Sequence, residues 1–140
     1  MAFGNDIAGY IEYLEENIYS SESETRIIFD GKQRYPWADG VFSGIFGFTP
    51  REYVRKRRLY LAALDLLEGY TVADVIVKYA FFSYSTFSKA FKAMYGIPPA
   101  RIERNRIYEY PRLECSISIK GADIGEKKYL EGKRELRKGE

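Results

Sequence analysis

The segment from Thr49 to Gly96 carries closely spaced signals for helix starts and helix ends, and these constrain the fold more than any other feature. Thr49-Pro50-Arg51-Glu52 is a capping box with proline at the first helical position, which predicts a helix beginning at Pro50. Gly69 is a typical residue just beyond a helix end, so this helix should run to about Glu68. The density of such signals favours an all-α fold.

Two shorter helices are predicted directly after the long one. Thr71 can cap the first, with Asp74 three residues later, and Ser83 can cap the second, which Gly96 stops. A short helix, a tight connection and a second helix of about three turns form a helix-turn-helix. The apolar residues at helical spacing that should face the core are Val72, Val75, Ile76 and Tyr79 in the first helix and Phe87, Ala90, Phe91 and Met94 in the second.

The N-terminal part of the chain gives weaker signals. Residues 6–18 predict a short amphipathic helix with Glu12, Glu15 and Glu16 outside its apolar stripe of Ile7, Ile11, Leu14 and Ile18. Asp30-Gly31 and Tyr35-Pro36 are turn signals. A further helix is expected from about Trp37 to Phe46, although its glycines oblige it to depend on packing.

The pattern after Gly96 changes twice. A last short helix is expected from Ala100 to about Tyr108, before Pro111 ends it. Apolar and polar residues then alternate over Leu113–Lys120, which indicates a short C-terminal strand, and a highly charged tail follows.

Composition excludes several classes of function. The chain has no histidine and only Cys115 as a thiol, which removes most zinc sites and every catalytic triad with an imidazole base. We therefore expect a protein that is not an enzyme, with no catalytic residue, metal or cofactor. With 46% hydrophobic residues the chain can build a core, and no apolar run near its start resembles a signal peptide or a membrane span. These features predict a cytoplasmic protein with no membrane partner.

The net charge of +2 hides an uneven distribution along the chain. Residues 1–46 hold 3 Lys/Arg against 8 Asp/Glu, residues 47–113 hold 12 against 6, and residues 114–140 hold 7 against 6. The positive charge is thus concentrated in the middle of the chain, as a partner with phosphates requires. An ordinary solvated basic surface is the alternative.

These motifs resemble those of a known family. TVADVIVKYAFFSYSTFSKAFKAMYGIPPARI resembles the second helix-turn-helix of AraC/XylS-type transcription regulators, and TPREYVRKRRLYLAALDLLEG resembles the helix that links their two helix-turn-helices. The match is in register from Thr49 to Arg101, and it includes Ser83, Ser85, Phe87, Phe91, Gly96 and Pro99. The resemblance implies a helical bundle with an N-terminal helix-turn-helix subdomain at 1–48, a linker helix at 49–69, a second subdomain at 70–112 and a strand-like tail at 113–140.

The resemblance also implies which residues contact double-stranded DNA. The positions where the family commonly contacts bases hold Tyr84, Ser85, Thr86 and Lys89, and a lysine can donate to guanine O6 and N7. Lys92 is expected at a phosphate, as are the backbone N–H groups at Ser83. Phosphate contact is also expected from some cations of the linker helix, namely Arg55, Lys56, Arg57 and Arg58. Packing of their aliphatic stems is the competing interpretation, expected for at least two of them.

The sequence departs from the family at three places. Ala80 and Phe82 stand where glycine and a small residue are usual, so a left-handed turn residue would be strained. The first helix-turn-helix, at about residues 22–46, has Lys32 at the turn and Asp39, Gly40, Ser43 and Gly44 on its outward face, which predicts a retained fold without sequence-specific contact. We also expect this chain to lack the ligand-binding effector domain that follows a similar strand in a subgroup of the family.

Two functions remain open at this point. The first is a DNA-binding regulator that reads DNA mainly through its second helix-turn-helix, with a possible homodimer through Leu113–Ile119. The second is a degenerate relative that binds protein through its aromatic surface, since the chain has 13 tyrosines and 9 phenylalanines. Exposure of Tyr84 and Lys89 would favour DNA, whereas their burial against Phe82 would favour the alternative.

Overall fold

The computed structural model describes residues 3–113, and within this range the protein is all-helical. The six α-helices of this part are α1 (Phe3–Ile18), α2 (Glu24–Arg34), α3 (Ala38–Phe46), α4 (Pro50–Leu67), α5 (Val72–Lys78) and α6 (Tyr84–Tyr95). Two short 3₁₀ turns follow at Pro99–Arg101 and Arg104–Arg106. The all-α expectation is confirmed for the described residues, none of whose helices has the length and apolarity that a membrane crossing requires.

The helices enclose two clusters of buried side chains, and α4 contributes to both. The first core combines α1, α2 and α3 with Tyr53 and Val54 from the start of α4. The second combines α5 and α6 with Leu59, Ala62 and Ala63 from the later turns of α4. Because one continuous helix enters both cores, its register links the packing of α1–α3 to the packing of α5 and α6.

The helix α2 corrects a sequence prediction. Asp30-Gly31 was expected to form a turn, but α2 continues through both residues to Arg34. A β-carbon at Gly31 would lie 3.0 Å from Tyr13 Cε2 and 3.2 Å from Tyr10 Cε1, so glycine at this position lets α2 pack closely against α1. The turn between α2 and α3 falls at residues 35–37 instead, and Lys32 therefore lies within α2 rather than at the turn.

The chain after α6 also differs from expectation. A continuous helix over Ala100–Tyr108 was predicted, whereas the structure has two separate 3₁₀ turns. Ile102, Ile107 and Tyr108 all pack against the second core. Ile107 and Tyr108 lie five and six residues after Ile102, a spacing that does not place the three on one face of an α-helix. An irregular chain is therefore needed to direct all three inward.

The predicted strand Leu113–Lys120 falls almost entirely outside the described residues, as does the proposed dimer contact over Leu113–Ile119. Leu113 itself is described and buried in the first core. Its backbone N–H donates to Tyr53 Oη at 2.9 Å. This residue therefore contributes to the packing of the protein's own core.

Candidate nucleic-acid interface

The helix-turn-helix of α5 and α6 begins at the caps that the sequence predicts. The Thr71 side chain accepts from the Asp74 backbone N–H at 3.0 Å, and the Asp74 carboxylate accepts from the Thr71 backbone N–H at 3.0 Å. Ser83 Oγ accepts from the Thr86 backbone N–H at 3.1 Å and donates to Thr86 Oγ1 at 3.1 Å. These bonds satisfy backbone donors at the helix starts, so both predicted starts are confirmed.

The turn between α5 and α6 contains a strained residue. Ala80 has φ +57°, the left-handed conformation that favours glycine. The Phe81 backbone N–H donates to Ile76 O at 3.0 Å and the Ala80 N–H donates to Val77 O at 3.2 Å, the two bonds of a Schellman motif. The strain expected from the missing glycine is therefore present, and the motif forms in spite of it.

The inner face of α6 is fixed by aromatic packing. Phe87 and Phe91 are fully buried, and Tyr95 at the end of the helix is nearly so. The ring centroids of Phe81 and Phe87 are 4.8 Å apart, those of Phe87 and Phe91 5.6 Å, and those of Phe91 and Tyr95 5.1 Å. Contacts of this kind hold a helix in one rotational setting, which determines the side chains that face solvent.

The end of α5 is tied to α4 by one carboxylate. Asp65 Oδ2 accepts from Lys78 Nζ at 2.8 Å and from Tyr79 Oη at 2.7 Å. Burial and the hydrogen bond to Asp65 raise the pKa of Tyr79 to about 12, and the Asp65 carboxylate raises the pKa of Lys78. Asp65 therefore links the end of α5 to α4, in addition to the apolar contacts of the second core.

The outer face of α6 exposes the residues that the sequence assigns to DNA. The exposed residues are Tyr84, Ser85, Thr86, Lys89 and Lys92, and Ser83 is partly exposed. No Asp or Glu occurs within α6. Tyr84 is 55% exposed and Phe82 is 93% exposed, so Tyr84 is not buried against Phe82. The exposure of Tyr84 and Lys89 favours the DNA-binding interpretation over the protein-binding alternative.

The prediction that Arg57 and Arg58 contact phosphates is wrong, because both side chains are buried. Arg57 makes a bidentate ion pair with Glu15, with Nε and Nη2 each 3.1 Å from a carboxylate oxygen. Arg58 donates to the carbonyls of Asn17 and Ile18 at the end of α1 and of Ser20 just beyond it, and burial lowers its pKa. Their guanidinium groups stabilise the first core, as the packing interpretation predicts for two of the four cations.

Arg55 lies at the surface but already has a partner. Its guanidinium binds both oxygens of Glu24, with Nη2 to Oε1 at 2.8 Å and Nε to Oε2 at 3.2 Å. The same Glu24 Oε1 accepts from Arg51 Nη1 at 3.2 Å. A phosphate at Arg55 would have to compete with this carboxylate, which makes Arg55 a weaker candidate than Lys92.

The corresponding helix of the first helix-turn-helix, α3, has a different surface. Gly40 and Gly44 are exposed, with no neighbouring heavy atom within 4 Å of a β-carbon added at either position. Asp39 accepts from Tyr10 Oη at 3.2 Å and forms an ion pair with Lys32 at 3.5 Å. The helix contains no lysine or arginine. The predicted outward positions of α3 therefore offer no cation to DNA.

The residues that position α4 were not identified from the sequence. Glu15 was placed outside the apolar stripe of α1, yet it is buried and paired with Arg57. Glu15 lies four residues after Ile11 and three before Ile18, so helical spacing indicated an inward position. Arg57 likewise lies one turn after the buried Tyr53. The Tyr53 hydroxyl also donates to Glu15, which adds a third member to this buried cluster.

Comparison with known proteins identifies the family. A family profile described as "Helix-turn-helix domain" matches residues 40–105, which include α4, α5 and α6. The chain is 34% identical over 104 residues to the "Probable transcription factor PqrA" of Proteus vulgaris, covering 72% of this chain and 83% of that protein. No solved structure gives a significant match.

Two further relatives match over shorter stretches. The "Transposon Tn10 TetD protein" of Escherichia coli is 34% identical over 70 residues, or 49% of this chain and 51% of TetD. The "HTH-type transcriptional activator AarP" of Providencia stuartii is 43% identical over 61 residues, or 43% of this chain and 45% of AarP. The match thus spans about half the length of these two proteins. Together with the extent of the match to PqrA, the profile shows that the chain belongs to the AraC/XylS-type family of DNA-binding transcription regulators.

Proposed function

We propose that this protein is a sequence-specific regulator that reads DNA mainly through α6. The observation that carries the proposal is the division of α6 into two faces. Phe87 and Phe91 anchor one face in the second core, while hydroxyl, aromatic and ammonium groups without any carboxylate cover the other. A helix of this kind can enter the major groove without losing contact with its own domain.

The positions of the polar groups along α6 suggest their roles. Ser85 and Lys89 are four residues apart, and Lys89 and Lys92 are three apart, so they form a strip along the exposed side. We assign base contacts to Tyr84, Ser85, Thr86 and Lys89, because residues near the start of a recognition helix usually contact base edges. Lys92 lies farther from that start, and we assign it to a phosphate.

Ser83 and Arg55 complete the proposed phosphate contacts. The Ser83 hydroxyl is engaged in the helix cap, so its contribution would come from backbone N–H groups at the start of α6. Arg55 would contribute only by exchanging Glu24 for a phosphate. We propose that the first helix-turn-helix makes no sequence-specific contact with DNA, since α3 presents glycines and a paired carboxylate to solvent.

A single helix-turn-helix that contacts few bases should have modest specificity. Linking two modules in a homodimer would raise the affinity through effective concentration. Residues 114–119 stay our candidate for that contact, since Leu113 is already buried in the protein's own first core. A preferred DNA sequence made of two half-sites about one helical turn apart would support it.

The test is a fluorescence-anisotropy titration of the full chain against duplex DNA at several salt concentrations. We expect binding at low salt that weakens as salt rises, because lysine contacts to phosphate release counterions. The absence of binding to every duplex at low salt would refute the proposal.

A further inference from the structure

Phe82 is the most exposed large apolar side chain of the described residues, with 93% of its surface in contact with solvent. The next are Val77 at 78% and Tyr19 at 64%. Burying a phenylalanine side chain stabilises a protein by about 1.5–3 kcal/mol, and residues 3–113 obtain almost none of that from Phe82.

The usual structural role of a residue at this position is filled by its neighbour. Phe82 precedes the N-cap Ser83, and an apolar residue there often packs against the fourth residue of the helix, here Phe87. In this structure the ring of Phe87 packs against Phe81 instead, with centroids 4.8 Å apart. Phe81 thus shields the start of α6, and Phe82 is left facing solvent.

The location of Phe82 indicates what it contacts. It precedes Ser83 and Tyr84, and so lies next to the N-terminal end of α6. This is the end whose side chains we assign to base edges. The exposed residues that follow it on α6 carry mainly hydroxyl and ammonium groups, which suit DNA better than an apolar protein surface. In the major groove, the apolar group that a phenylalanine can contact is the C5-methyl group of thymine.

We propose that Phe82 is a specificity-determining residue that contacts a thymine methyl group in the major groove. The inference rests on the proposed function of α6 and adds an apolar contact to it. A base pair with thymine at the contacted position would be preferred over every other pair, and the preference would depend on the methyl group alone.

The experiment uses deoxyuridine, which differs from thymidine by that methyl group. The duplex that the wild-type protein selects from a random library is prepared with each thymine replaced in turn by deoxyuridine. Affinities are measured for the wild type and for Phe82→Ser. Phe29→Ser is the matched control, since Phe29 is a 55% exposed phenylalanine on α2.

The expected result is a loss of about fourfold in wild-type affinity at one or two thymines, the factor associated with burying one methyl-sized group. Phe82→Ser should bind the thymine duplex more weakly and show no further loss with deoxyuridine. Phe29→Ser should behave as the wild type does. The salt dependence should be the same for all three proteins, because no charge changes.

Phe82→Leu provides a second variant that retains apolar surface, and it should keep part of the response to the methyl group. Equal deoxyuridine responses in the wild type and Phe82→Ser would overturn the inference while leaving the proposed function intact. The inference is also overturned if Phe82→Ser binds DNA normally but no longer associates with itself, because Phe82 would then serve a protein contact. Failure of the wild type to bind any duplex would refute both proposals.

Discussion

Arg57 of α4 and Glu15 of α1 form a buried ion pair in which two nitrogens of the guanidinium bind the two carboxylate oxygens, each at 3.1 Å. The remaining Arg57 nitrogen donates to Tyr110 O at 2.7 Å. One side chain on α4 therefore connects α1 to the segment that follows the second helix-turn-helix. Arg57 and Arg58 of α4 therefore stabilise the fold, whereas Arg51 and Arg55 lie at the surface.

Arg57→Ala should strongly reduce the free energy of unfolding. The substitution leaves the Glu15 carboxylate buried without its cation, and breaking such a pair typically costs about 3–5 kcal/mol. Urea unfolding followed by circular dichroism measures the loss. Arg55→Ala is the control, because its ion pair with Glu24 is partly exposed and should contribute no more than about 1 kcal/mol. Equal losses in the two variants would contradict this role of Arg57.

Ala80→Gly should stabilise the protein. Glycine removes the left-handed strain, and the flexibility it adds to the unfolded chain offsets part of the gain, so we expect a net increase of about 0.5–1 kcal/mol. Gly69→Ala is the reciprocal control, since Gly69 has φ +104° and no atom within 4 Å of an added β-carbon. It should lose stability in the same urea assay. A less stable Ala80→Gly protein would show that the turn is not strained.

The free energy of unfolding should fall steeply above pH 10. Burial raises the pKa of Tyr79 to about 12 in the folded protein, against about 10 in the unfolded chain. The contribution of this neutral tyrosine is therefore complete below pH 10 and is lost as pH rises towards 12. Urea midpoints between pH 8 and pH 12 measure the decline.

Tyr79→Phe is the control for the alkaline decline, because it lacks the ionisable hydroxyl. It should be less stable at pH 8, where the bond to Asp65 is missing, and should decline less steeply than the wild type. Burial also raises the pKa of Tyr10, Tyr53 and Tyr95, so some decline persists in the variant. If the urea midpoints of the two proteins decline in parallel with pH, the ionisation of Tyr79 does not contribute to the alkaline loss of stability.

Lys92→Ala should weaken binding to all duplexes by a similar factor. A lost phosphate contact releases about one counterion fewer, so the slope of log K against log salt should become about 0.9 less negative. Anisotropy titrations over a range of salt concentrations measure the slope. Lys32→Ala removes the same charge from α2 and should leave the slope unchanged. If Lys92→Ala weakens binding to some duplex sequences more than to others, Lys92 contacts a base and not a phosphate.

The second half of the fold could be predicted from sequence because its signals are local. Thr49, Thr71 and Ser83 each bind backbone groups within a few residues, and such caps are visible in sequence. The turn predicted at Asp30-Gly31 was wrong because the role of Gly31 depends on the tyrosines of α1, which only the tertiary structure brings close. Local composition cannot distinguish a glycine that makes a turn from one that permits close helix packing.

The candidate site shows the same limit. The exposed positions of α6 followed from helical spacing, since Phe87 and Phe91 identify the buried face. The burial of Arg57 was missed although it lies one turn after the buried Tyr53, because only the fold shows the Glu15 carboxylate and the Ile18 carbonyl that bind Arg57 and Arg58. The sequence marks Phe82 as a departure from the family, but it does not show a role for this residue. Only the fold shows that Phe81 packs against Phe87 and that Phe82 faces solvent.

The most direct test of the central claim, that α6 reads the DNA sequence, is selection of bound sequences from a random duplex library by the wild type, Lys89→Ala and Ser43→Ala. Lys89 lies on the exposed face of α6, and the half-buried Ser43 holds one of the outward positions that the sequence predicts for α3. We predict that Lys89→Ala loses the preference at one or two positions of the selected sequence, while Ser43→Ala selects the wild-type sequence unchanged. An unaltered preference in Lys89→Ala, or a changed one in Ser43→Ala, would contradict this claim.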